Sequence, residues 1–341
     1  MDDFHAQKYR MMIRVRFLLA SLLLSAVLFG AFKFKSAVWG FYAHKQINRL
    51  AVFTLPSEMI GFYKYFIQDI KENAVNPDMR RYAVKNEAPR HYIDLDVYGD
   101  SALYVVPKYW KDAVEKYTED TLMAYGIVPW HINRMRFWLT DAFKNKDVEA
   151  ILRLSSDMGH YIADAHVPLH TTENYNGQLT NQVGIHGFWE SRLPELFSED
   201  FDFFVGQAQY LEKPQLAIWD VVAASHMAVD SVLSFEKQLT EEFSESKKYS
   251  YEERGGLTVR VYSREFSDAY FKSLDGMVEK RMKAAVRMVG NFWYTCWVDA
   301  GQPDLDALKD QYKEENRERL RKERKKWKVR IFNSRAHESE D

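Results

Sequence analysis

Apolar positions recur at helical spacing over most of the chain. Ile132, Met135, Phe137, Leu139 and Phe143 make one stripe, and Ile151, Leu154, Met158 and Ile162 make the next. That 3.6-residue period is the mark of a helix with one face turned to a core. Few stretches alternate with period two for long enough to be strands. The pattern predicts helices near 45–70, 107–119, 130–144, 147–166, 187–197, 215–243, 262–298 and 305–329, with loops at 73–104, 168–185 and 246–258. Pro129, Pro168, Pro194, Pro214 and Pro303 fall at or near helix ends, where a missing N–H and a locked φ do least harm. No internal repeat or low-complexity linker interrupts the pattern, so the expectation is all-α: a single-domain helical bundle.

The start of the chain is set apart from that fold. Arg10, Arg14 and Arg16 precede an uncharged apolar run from Phe17 to Phe32, the pattern of an export signal. Sixteen residues at ~1.5 Å each reach about 24 Å, short of the ~30 Å hydrocarbon core. A signal peptide fits better than a span, with an uncleaved anchor as the alternative. Cleavage before Trp39 would place Val38 where a small residue is preferred, and Lys33 and Lys35 intervene. Residues 1–38 are therefore read as signal peptide or N-terminal membrane anchor, and the protein as exported: periplasmic, extracellular or anchored on the outer side.

Composition narrows the class. Hydrophobic residues make up 46% and aromatics 15% of the 341 residues, enough for one large core and too much for disorder. Cys296 is the single cysteine, which rules out an internal disulfide framework and a Cys-based zinc finger. Charge is segregated. The total is −2, residues 1–38 carry +4, residues 313–330 carry +6 and the last eleven carry −2, which leaves −10 on residues 39–312.

Candidate chemistry is concentrated between residues 159 and 190. Gly-His160-Tyr-Ile-Ala-Asp164-Ala-His166-Val-Pro168-Leu-His170 holds three histidines in eleven residues. His160 and Asp164, four apart, share one helical face within reach of one ion. Pro168 ends that helix, so His170 approaches from the loop that follows. His186 and Glu190 repeat the imidazole–carboxylate spacing on a second predicted helix. Nitrogen and oxygen donors without thiolate suit Zn²⁺, with Mn²⁺ or Fe²⁺ open on ligand type alone. His131, after Trp130 at a helix start, reads as packed or capping, and His226 as an ordinary helix residue. Phe292, Trp293, Tyr294 and Trp297 read as core.

These residues resemble the zinc-dependent phospholipase C / S1-P1 nuclease superfamily, single-domain α-helical enzymes with three zinc ions in one cleft. The resemblance covers most of residues 39–300. It matches Trp39 and His44 in Trp-Gly-Phe-Tyr-Ala-His, Asp78 in Asn-Pro-Asp, and His91 in Arg-His-Tyr-Ile-Asp, with Asp94 and Asp96 as rivals to Asp78. It matches His160, Asp164, His170, His186 and Glu190 as well. The resemblance implies up to three Zn²⁺ per chain. Asp78, His91, His160 and Asp164 would hold one, and His170, His186 and Glu190 a second. Trp39, through its free amino group and carbonyl, would hold the third with His44 and a bridging Asp164. His166 falls where the family has a polar non-ligand.

The implied activity is phosphodiester hydrolysis. Three Zn²⁺ against three carboxylates leave about +3 in the cleft, an anion trap that acidifies bound water and clamps phosphate oxygens. By analogy Asp78 doubles as the catalytic proton acceptor. Residues 39–304 are then a zinc-dependent phosphoesterase domain, and 305–341 a charged C-terminal helix and tail. Phospholipid is the favoured substrate, on Glu190 as last ligand and the short loop before His186. Single-stranded nucleic acid is the alternative, on Trp-Gly and the five-residue step to His44. Tyr92 and Asp94 resemble the aromatic-x-Asp that the nuclease branch uses to hold a base. The lipase branch builds its choline pocket from an acid and two aromatics, and Tyr42, Met79 and Ala88 stand at those positions instead, which argues against a choline headgroup. A separate reading makes the protein a zinc-stapled structural or surface-binding module, with the basic tail meeting a membrane surface or nucleic acid. Against it, Glu314 with Arg317 and Glu318 with Lys322 have the spacing of a solvated helix with internal ion pairs.

Overall fold

The stripe at 151–162 becomes the axis of the structure. The computed structural model describes residues 41–254, 256–332 and 335. Trp39 and the segment read as an export signal lie outside the described residues. Helices of seven residues or more are α1 (Phe41–Ala51), α2 (Ser57–Tyr65), α3 (Ile67–Asn73), α4 (Trp110–Tyr117), α5 (Glu119–Tyr125), α6 (Val128–Lys144), α7 (Val148–Ala165), α8 (Pro214–His226), α9 (Val229–Glu242), α10 (Arg264–Ser273), α11 (Met277–Asp299) and α12 (Glu314–Trp327). The fold is mostly helical, 69% helix and 4% strand.

α7 starts where the Asp147 side chain accepts from the Ala150 amide at 3.0 Å, an N-cap that satisfies one of the helix's unpaired donors. From Ser155 to Ala165 every residue is buried, so polar groups on any face must find partners inside the protein. α1, α3, α6, α8 and α11 surround it. Tyr63 of α2 meets Ser155 Oγ at 2.8 Å, Trp293 of α11 donates to the Ser155 carbonyl at 3.1 Å, and the two aromatic rings stack on each other.

α1 crosses α7 unusually closely. Asn48 donates to the Ser156 carbonyl at 2.9 Å, and a Cβ at Gly159 would lie 1.9 Å from Asn48 Oδ1. Only glycine permits this crossing without displacing Asn48. The same contact fixes the relative position of His44, one turn before Asn48, and His160, next to Gly159.

Several sequence expectations need correction. The predicted helix 45–70 is three helices and a 3₁₀ turn, interrupted at Pro56. The predicted helix 215–243 breaks at Met227–Ala228 into α8 and α9. The whole apolar stretch Pro214–Glu242 is long enough to cross a membrane by length and composition, yet α8 packs on α6 and α7 and α9 on α10. The loop predicted at 246–258 is an antiparallel hairpin, β1 (Tyr249–Arg254) with β2 (Leu257–Tyr262), in the register Tyr249 to Tyr262. Tyr262 faces inward and stacks on Phe188 at 3.8 Å. The predicted helix 262–298 therefore begins after the hairpin, and Gly276, at φ 72°, separates α10 from α11. The short helices and turns within 73–104 fall in a stretch read as loop, and α5 lies between the predicted helices 107–119 and 130–144. Phe292, Trp293 and Trp297 are core, as expected, whereas Tyr294 is only partly buried against it.

The core runs past residue 304, since Leu305, Leu308 and Tyr312 belong to it. α12 buries no residue and is held to the body by polar contacts. Arg317 pairs with Asp69 at 2.9 Å, and Arg324 donates to Asn73 Oδ1 at 2.6 Å and Asn76 Oδ1 at 2.8 Å. The Glu314–Arg317 pair is present at 3.4 Å, but the helix is docked rather than simply solvated.

Candidate metal centre

Local structure brings eight of the nine sequence candidates to one place. His44 comes from α1, and His160 and Asp164 from successive turns of α7. Asp78 sits in the short helix Asn76–Arg80, His91 at the end of the 3₁₀ turn Ala88–His91, and His170 in the 3₁₀ turn Pro168–Thr171. His186 lies in the turn Ile185–Gly187, and Glu190 in a π-turn, Phe188–Arg192. The predicted helix 187–197 thus opens with a single wide turn, a feature common at functional sites. The ninth candidate, Trp39, lies outside the described residues.

Three groups have ligand atoms close enough to hold a metal ion: His44, His160 and Asp164; Asp78, His91 and His160; and His170, His186 and Glu190. Asp164 joins them. Its Oδ2 is 3.0 Å from His91 Nδ1 and 3.3 Å from His160 Nε2. Its Oδ1 is 3.4 Å from His44 Nε2 and 3.9 Å from His170 Nε2. Glu190 makes a second link, with Oε1 3.0 Å from His44 Nε2 and Oε2 2.8 Å from His186 Nε2. Glu190 therefore reaches His44 in addition to the two histidines the resemblance assigns it. His44 also stacks on His160, ring centres 4.0 Å apart.

The spacing fits metal ions. A tetrahedral zinc with bonds of ~2.0–2.1 Å sets neighbouring ligand atoms about 3.3 Å apart. His160 to Asp164 is 3.3 Å, His160 to Asp78 is 3.4 Å and His170 to Glu190 is 3.3 Å.

Proton accounting points the same way. His160 Nδ1 donates to the Ala74 carbonyl at 2.8 Å, His170 Nδ1 to the His91 carbonyl at 2.6 Å, and His186 Nδ1 to the Tyr175 carbonyl at 3.1 Å. With that proton committed, each Nε2 of a neutral ring turns a lone pair toward a carboxylate. Burial lowers the pKa of His160 and brings that of His170 down to about 4, so neutral rings are favoured. Asp164 Oδ1 is buried and accepts no hydrogen bond. Burial, reinforced by the nearby charges of Asp78 and Glu190, pushes the Asp164 pKa well up. Lone pairs facing carboxylates in a dry site call for a cation between them.

The rivals to Asp78 have other tasks. Asp96 accepts from the Thr172 hydroxyl at 2.6 Å and the Glu173 amide at 2.9 Å. Asp94 pairs with Arg335. His166 donates to the Ile162 carbonyl and stands apart from the three groups. His131 is buried edge-on against Tyr161, a packed residue as expected.

Sequence reasoning missed three supports. His226, read as ordinary, donates to the Thr171 carbonyl at 3.0 Å and so braces the turn that carries His170. Buried Glu87 accepts from Arg80 at 2.9 Å, Arg90 at 2.7 Å and Tyr161 of α7, tying the Asp78 and His91 segments to the axis. Arg81, 2% exposed, has a buried Nη1 that makes no hydrogen bond. Its charge acts on both Asp164 and His170. No sequence signal marks Arg81 beyond its place three residues after Asp78.

Fold and site together define a helical protein with buried histidine–carboxylate groups able to hold metal ions. No model of a known protein family matches the chain, and no curated protein sequence matches it.

Proposed function

We propose that the protein is an exported, zinc-dependent phosphodiester hydrolase. The observation that carries the reading is Asp164, a buried carboxylate with each oxygen facing a different pair of histidines. That arrangement suits an acid shared between two ions, and the donor set of imidazole and carboxylate suits zinc. Zinc bound there would supply Lewis-acid polarisation of a phosphate and an acidified water.

The chain's own residues supply the rest. Asp78, with a side chain 10% exposed against 3% or less for Asp164 and Glu190, is the cluster's most accessible acid and takes up the proton. Arg81 offers a buried donor for a phosphate oxygen, a planar guanidinium being well matched to that group. The carbonyls of Ala74, His91 and Tyr175 hold the rings in one tautomer.

Phospholipid is the favoured substrate. Leu179 and Val183 expose apolar side chains, 67% and 46%, on the loop whose Tyr175 braces His186, which suits contact with a lipid surface. Single-stranded nucleic acid is the second reading, favoured by the Tyr92–Asp94 pair directly after His91. The test is a substrate panel on the full-length, zinc-loaded chain: bis(p-nitrophenyl) phosphate, phospholipid vesicles, and single-stranded DNA and RNA. The reading expects slow turnover of the first and faster turnover of phospholipid, because binding energy remote from the reacting centre favours the true substrate. Mononucleotide release with intact phospholipid would reverse the substrate choice. Turnover of none, in protein that holds zinc, would leave a structural metal site.

A further inference from the structure

Beyond α12 the chain turns back along the segment that carries Asp78 and His91. Arg80 lies over the Trp327 ring at 5.9 Å, and the Ile331 and Phe332 amides both donate to the Tyr82 carbonyl at 3.0 Å. Arg335 then enters a built pocket. Its Nη1 donates to Asp94 Oδ1 and Oδ2 at 2.5 and 2.7 Å, and its Nη2 to the Thr172 carbonyl at 3.3 Å. The guanidinium carbon lies 3.9 Å from the Tyr92 ring centre and 3.8 Å from that of Tyr175. Its own backbone carbonyl accepts from Arg81 Nε at 3.1 Å.

Each partner borders the candidate metal centre. Tyr92 follows His91, Thr172 lies two residues after His170, and Tyr175 accepts from His186. Asp94 and Tyr92 are buried, 4% and 5% exposed. Two aromatic faces and a carboxylate form a cage for a planar cation, and a cation of that kind is in it.

A tail docked only for stability would bury its apolar side chains. Here Val329, Ile331 and Phe332 stay exposed at 60%, 66% and 39%, and among the described residues of the tail Arg335 is the one that goes in. Among the described residues past Phe332 one side chain fills the pocket, and an occupant held there by one side chain can be exchanged.

We propose that Tyr92, Asp94 and Tyr175 form a guanidinium-binding subsite at the edge of the cluster, and that the protein's own C-terminal strap fills it as a displaceable occupant. The strap engages Arg81 through the Arg335 carbonyl, so it also limits access to the donor assigned above to phosphate. A free guanidinium ligand, such as an arginine side chain of a peptide, competes with the strap. The subsite stands on its own geometry; its effect on turnover rests on the phosphodiesterase reading.

The test uses full-length protein with Arg335→Ala, and with Arg335→Lys as a milder variant that keeps the charge but loses the fork. The probe is N-acetylarginine amide, followed by tyrosine fluorescence and by hydrogen exchange at Ile331 and Phe332. Arg335→Ala should raise exchange at both amides at least tenfold, with Arg335→Lys between it and wild type. The probe should bind Arg335→Ala saturably, bind wild type at least tenfold more weakly, and fail to bind once Asp94→Asn is added. Bis(p-nitrophenyl) phosphate turnover should rise several-fold in Arg335→Ala and fall when the probe is added. Unchanged exchange in Arg335→Ala, or probe binding that ignores Asp94, would overturn the subsite. Probe binding with unchanged turnover would overturn its control of access. Absent turnover in every variant would count against the hydrolase reading, while the binding arm still decides the subsite.

Discussion

Gly159→Ala tests whether the α1–α7 crossing builds the site. The added carbon would lie 1.9 Å from Asn48 Oδ1 and 2.7 Å from Asn48 Cγ, against contacts of about 3.5–4.0 Å at optimal separation. Asn48 must give way. Its bond to the Ser156 carbonyl breaks in a place where Asn48 is fully buried, at about 1–3 kcal/mol for the stranded group. Overpacking costs about 1–3 kcal/mol more. Exchanging a helix glycine for alanine returns about 1 kcal/mol, so the net loss is centred near ~3 kcal/mol, or roughly 6–12 °C in melting temperature. His44 and His160 move apart with their helices, so zinc protection against melting should shrink too. Thermal melts with zinc and with chelator measure both effects. In an Asn48→Ala background, which removes the colliding atoms, Gly159→Ala should cost little. Wild-type stability in the single variant, or an equal cost in both backgrounds, would refute the crossing as the determinant.

Asp164→Asn should lower phosphodiester turnover by more than His44→Ala, because Asp164 faces four histidines and His44 two carboxylates; equal, mild losses would show that Asp164 is not shared. His131 predicts an acid limb. Burial, then the charges of Arg90, Arg134 and Arg80, hold its pKa well below the usual histidine value. The unfolded chain therefore takes up a proton below about pH 6.5 that the folded one refuses, and stability falls as pH falls through that point. Urea midpoints at pH 7 and pH 5 should differ less for His131→Phe than for wild type; identical differences would remove His131 as a cause.

What could be read in the sequence was what repeats locally. Apolar spacing marked α6 and α7, and the four-residue steps from His160 to Asp164 and from His186 to Glu190 marked candidate ligands that do meet. The hairpin was missed although Leu257, Val259 and Val261 alternate and Gly255-Gly256 precede them. The run is short, and the adjoining helical spacing overrode it. The break between α8 and α9 carries neither glycine nor proline, so no breaker residue announces it. Arg81, Glu87 and Arg335 were beyond reach for a different reason. Each has at least one partner far away in the chain, such as Tyr161 for Glu87 and Asp94, 241 residues away, for Arg335. The basic segment looked like a solvated helix because its charges do pair locally, and its docking depends on Asp69, Asn73 and Asn76.

Metal content decides whether these buried groups hold ions. Full-length protein purified without chelator, measured by inductively coupled plasma mass spectrometry, should carry two to three zinc per chain, motivated by the three ligand groups. Asp164→Asn should carry fewer, and chelator should lower the melting temperature of wild type, since an ion bound only by the folded chain stabilises it. Wild-type protein without bound metal, folded and melting at the same temperature with or without chelator, would show that the cluster is not a metal site.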